Sequence, residues 1–175
     1  MNRDGKAQAP PVRRAYFECR YGQLHVHNTV PGGGGFDELT TVICLHGADE
    51  TGRVFNPALQ ILGADRSVFA PDLPGHGESD PAQAVDAATA GALAIMDFIS
   101  SMRIRSVDLV ARGSGCDIAG QLAQAPESRV RRMVLITDTP PGQWARVTAK
   151  VTDILPLSAS PMPALGSRLV QALSG

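Results

Sequence analysis

Histidine is scarce in this 175-residue chain and confined to its first half: His25, His27, His46 and His76, with none after them. A site that takes its proton acceptor from a late histidine cannot be completed within these residues. Cysteine is almost as rare. Cys19, Cys44 and Cys116 are an odd number, lie far apart and form no C-x-x-C pair, which excludes a disulfide scaffold and a cysteine zinc site. That usage suits a reducing compartment, so a cytoplasmic protein is expected. No apolar run reaches the roughly 18 to 20 residues of a membrane span, and the first fourteen residues hold charges and prolines rather than a signal-peptide core. The net charge of −1 leaves no basic face for nucleic acid. Arg129, Arg131 and Arg132 are expected to be a solvated strand entrance.

What is present is an alternation of periods. With 43% hydrophobic residues the chain can bury a core of one domain. Ala15 to Arg20 and Gln23 to Asn28 flank Tyr21-Gly22 as a hairpin. Pro31 and the four glycines Gly32 to Gly35 form an insert without regular structure. Strands are then expected at Thr41–Leu45, Val68–Ala70, Val107–Val110 and Met133–Thr137. Helices are expected at Val54–Leu62, Val85–Met102, Ile118–Ala125, Gln143–Leu155 and Leu165–Leu173. Strands and helices in turn predict an α/β fold with a mostly parallel sheet. His25 and His27 share a strand face, but two histidines without a third ligand make a weak metal site. They are expected on an edge-strand surface, and neither a metal nor a cofactor is predicted.

Three motifs carry more chemistry. Leu45-His46-Gly47-Ala48 ends a buried strand in a tight turn. Asp72-Leu73-Pro74-Gly75-His76-Gly77-Glu78-Ser79-Asp80 follows another strand, with glycines suited to a turn. The run Val107 to Cys116 has the form of a sharp strand-to-helix turn, whose central residue needs small neighbours two positions either side. With Gly113 central the flanks are Ala111 and Gly115. With Ser114 central they would be Arg112 and Cys116, which the turn would not admit.

In these motifs and their order, from about Tyr16 to Thr137, the chain resembles the N-terminal part of an α/β-hydrolase. The resemblance implies helices on both sheet faces, with the fold truncated after about the sixth strand. Residues 1–14 would be a flexible N-terminus, 15–139 the core and 140–175 the start of a lid-like helical segment. It also implies a hydrolytic ancestry, acting on esters, amides or related small molecules, with the nucleophile position filled by Gly113. Ser114 is the fallback nucleophile and Asp138 the candidate acid. The backbone N–H groups of Ala48 and Ser114 would be the oxyanion donors, with His46 and Gly47 shaping the loop. Without nucleophile or base the expected state is a chain that has lost catalysis and retains a small-molecule pocket. Two other readings remain open: a hydrolase using Ser114 or completed by another chain, and an interaction module that pairs, with itself or a partner, through a bare sheet edge.

Overall fold

The computed structural model describes residues 9–31, 39–139, 149–159 and 162–174. The glycine run, most of the expected flexible N-terminus and the first part of the expected helix over 143–155 lie outside them. Seven strands form one sheet: β1 (Arg13–Cys19), β2 (Gly22–Thr29), β3 (Thr41–Leu45), β4 (Val68–Pro71), β5 (Val107–Arg112), β6 (Val130–Ile136) and β7 (Val151–Leu155). Their order across the sheet is β1-β2-β4-β3-β5-β6-β7. The hairpin β1–β2 and the pair β2–β4 are antiparallel, and every other pairing is parallel.

The period of two in the central strands sorts side chains between two cores. Ile43, Leu45, Leu109, Ala111, Met133 and Leu135 point to one face, where α2 (Ala87–Ser101) and α3 (Gly115–Gln124) cover them. Val42, Cys44, Val110, Val134 and Ile136 point to the other, under α1 (Asn56–Leu62) and α4 (Met162–Leu173). Burial on both faces explains why these strands read as continuous apolar runs. Local chemistry sets the helix starts. Asp86 caps α2 by accepting the Thr89 N–H at 3.0 Å, and a proline stands in the first turn of α1.

Two expectations are corrected. The described part of the segment expected as a helix to Leu155 is instead β7, paired in parallel with β6. Its Val-Thr-Asp-Ile-Leu alternates toward a buried Leu155, and pairing with β6 together with the cover of α4 outweighs helix propensity. The sheet therefore runs one strand beyond the sixth, and the described part of 140–175 belongs to the core. Leu169 and Leu173 of α4 are buried among Leu59, Leu62 and Leu155. The second correction concerns His25 and His27. Strand β2 lies between β1 and β4 rather than at an edge, and both rings are buried.

Candidate functional site

The turn between β5 and α3 places Gly113 at φ +54°, the left-handed conformation, whereas Ser114 follows in helical conformation at φ −66°. Gly113 N–H donates to Ile136 O, and Cys116 N–H returns to Gly113 O, so the turn is held between β6 and the first turn of α3. Gly115 lies hard against the end of β3: a Cβ there would stand 2.5 Å from Leu45 O and 2.6 Å from His46 O. A Cβ at Gly113, by contrast, would meet only Gly47 Cα at 3.6 Å, an ordinary contact. The crowded positions are the flanks, and the central one is open.

Around this turn a cavity of about 250 Å³ is lined by Gly47, Ala48, Leu73, Pro74, His76, Ser114, Asp117 and Ile118, with Ala87 and Ala88 of α2. Ala48 and Ser114 are thus brought to one wall. Among the described residues, the N–H groups of both donate to no protein acceptor. Ser114 is exposed and its side chain makes no capping bond.

The two histidines near the cavity are committed. His46 is fully buried; its Nδ1–H donates to Gly47 O at 2.7 Å and its Nε2 accepts the Leu73 N–H at 2.9 Å. That pair of partners defines the neutral tautomer, and burial holds the ring's pKa below its usual value. His46 therefore welds the loop after β3 to the loop after β4. His76 sits 5.1 Å from it, ring to ring, and donates through Nε2 to Ala48 O at 2.7 Å. Asp138, the candidate acid, accepts the Leu157 N–H at 3.0 Å beyond β7 and does not line the cavity. Cys116 is no substitute nucleophile, because burial pushes its thiol up to about 12.

Sequence reasoning missed Glu50 and Arg112. Glu50 accepts Gly47 N–H at 3.0 Å through one oxygen and Arg112 Nε at 2.7 Å through the other, clamping the loop after β3 to the last residue of β5. Nothing periodic marks such a pair. It also missed that Asp72 joins His25 and His27: each of the three offers a ligand atom, and those atoms lie within 4.8 Å of one another. This is the group among the described residues that could hold a metal.

The alpha/beta hydrolase family model matches residues 42–174. An uncharacterized protein of Mycobacterium tuberculosis is 29% identical over 121 residues, covering 69% of this chain and 34% of that protein. A 3-hydroxybutyrate-oligomer hydrolase of Cupriavidus necator is 30% identical over 101 residues, covering 54% of this chain and 33% of that one. The chain thus spans about a third of the length of these curated relatives. Among solved structures, an epoxide hydrolase from Vigna radiata superposes with a TM-score of 0.62 at 20% identity, over 72% of this chain and 40% of that one. A carboxylesterase from Bacillus subtilis gives 0.61 at 23%, over 72% and 43%. At such identities the likeness is one of fold.

Proposed function

Since this chain belongs to the alpha/beta hydrolase family, we propose that it keeps the family's small-molecule pocket without the covalent step of hydrolysis. The observation that carries this reading is Gly113, which holds the left-handed position with open space before it and no side chain to attack with. Within these residues no histidine is free to serve as base at the cavity: His46 and His76 are hydrogen-bonded to the loops that form the wall. What remains is binding chemistry. The Ala48 and Ser114 N–H groups supply two donors for a carbonyl oxygen, and the mostly apolar wall of Leu73, Pro74, Ala87, Ala88 and Ile118 receives the ligand body. Small neutral esters suit that lining, and the names of the oligomer hydrolase and the carboxylesterase support the class.

Ser114 carries the competing reading, because its hydroxyl stands exposed on the same cavity. The deciding measurement is intact mass after exposure of the folded chain to a fluorophosphonate. No adduct is expected, nor any p-nitrophenyl ester turnover above that of free imidazole. A stoichiometric adduct lost in Ser114→Ala would replace this proposal with that of an active hydrolase. Gly113→Ser alone should restore no turnover, since an unassisted serine is a weak nucleophile at neutral pH.

A further inference from the structure

The register of β2 against β4 brings together residues far apart in sequence. Val26 pairs with Pro71 and His27 with Ala70, and Asp72 N–H donates to His25 O at 2.9 Å, so Asp72 arrives beside both histidines. His25 Nδ1 lies 2.8 Å from Asp72 Oδ2, and His27 Nε2 lies 3.7 Å from Asp72 Oδ1. All three residues are more than nine-tenths buried. The carboxylate also accepts the N–H groups of Gly52 at 2.8 Å and Glu78 at 3.1 Å, which fix its orientation.

The tautomer follows from these contacts. A carboxylate only accepts, so His25 donates from Nδ1, and a neutral ring then has its lone pair on Nε2. That Nε2 is buried and has no partner, and so is Asn56 Oδ1. Both residues line one cavity of about 420 Å³, which shares no lining residue with the pocket at Gly113. A buried acceptor without a donor costs on the order of 1–3 kcal/mol, so an unpaired lone pair at this place calls for a ligand. A carboxylate holding one imidazole nitrogen while the other faces a cavity is the outer-shell arrangement of a metal-binding histidine.

We propose that His25, His27 and Asp72 form a binding site for a late first-row divalent cation of the zinc class, with its open coordination position facing this cavity. Imidazole nitrogens are borderline donors that suit zinc, whereas calcium and magnesium require a shell of oxygen ligands. His25 ligates through Nε2 while Asp72 holds its ring from behind, and His27 supplies the second imidazole. Arg14 and Arg53 on the cavity wall favour a water-derived or anionic group at the open position over a further cation.

The test is calorimetric titration of the chelator-treated full chain with zinc chloride, alongside thermal unfolding with and without zinc. One ion per chain is expected, with a rise in melting temperature. His27→Gln should weaken binding by at least about tenfold and abolish that rise. Cys19→Ser, which removes the half-exposed thiol, should change neither. Because His25 also anchors the buried Asp72, a second readout uses cobalt(II) on the unmodified chain. Ligand-field bands of a low-symmetry site without thiolate charge transfer are expected. A thiolate band, wild-type zinc affinity in folded His27→Gln, or no heat at millimolar zinc would each overturn the assignment.

Discussion

At the scale of single residues, two glycines two positions apart behave oppositely. A side chain at Gly113 has room, and its cost is that of left-handed backbone, about 1–2 kcal/mol. Gly113→Ser should therefore fold, with a urea midpoint lowered by no more than that cost. Gly115→Ala would drive a methyl group into two backbone carbonyls that cannot swing aside, and should lose at least about 3 kcal/mol or fail to fold. Equal stability of the two variants would contradict the geometry of this turn. His46 makes a pH prediction of definite sign. Its folded-state pKa lies below the unfolded 6.5 because burial disfavours the cation, and protonating Nε2 would also break the bond from Leu73 N–H. The unfolded chain binds the proton first, so His46's contribution is full above about pH 6.5 and is lost as pH falls toward the folded value. His76, Asp72 and Glu50 are the charged or titratable neighbours that modulate it. His46→Gln should lower stability at pH 7 by about 1–3 kcal/mol and flatten its decline between pH 7 and 5. An unchanged slope in urea unfolding would assign that decline to other groups.

At the scale of elements, α4 joins the core through two leucines that meet α1 and β7. Leu169 is fully buried among Val42, Leu59 and Leu155, so Leu169→Ala should cost about 2–5 kcal/mol by urea denaturation. A loss under 1 kcal/mol would mean that α4 is not a fixed part of the core. How much of the structure could be read beforehand divides along the same line. The central strands and α2 announced themselves through apolar runs and period, and the register of the turn at Gly113 followed from the size of Ala111, Gly115 and Arg112. Strand β7 did not, because five residues are too few for period to decide and the segment before it, from Gln143 to Lys150, is free of helix breakers. The grouping of His25, His27 and Asp72 was hidden for a different reason. It depends on the antiparallel register of β2 against β4, and a strand's position in the sheet is a tertiary fact that no local pattern reports. Glu50 and Arg112 meet across loops and share that opacity.

At the scale of the whole molecule, the sheet has two outer strands of unequal character. Strand β1 exposes Arg13, Arg14 and Glu18, charges of the sort that discourage edge pairing. Strand β7 pairs with β6 on one side, and among the described residues nothing pairs with its other side. It carries one ion pair, Asp153 with Arg168 at 3.0 Å, and leaves Ile154 41% exposed. A short edge with an uncovered isoleucine invites a second copy of itself, so this chain is expected to self-associate as its concentration rises. Light scattering over a dilution series should show the mass increase. Ile154→Lys should suppress it with little effect on stability, since the added charge meets solvent rather than core. A wild-type chain that stays monomeric throughout the series would leave β7 as an edge protected by other means, and would remove the interaction reading from the functions this sheet can serve.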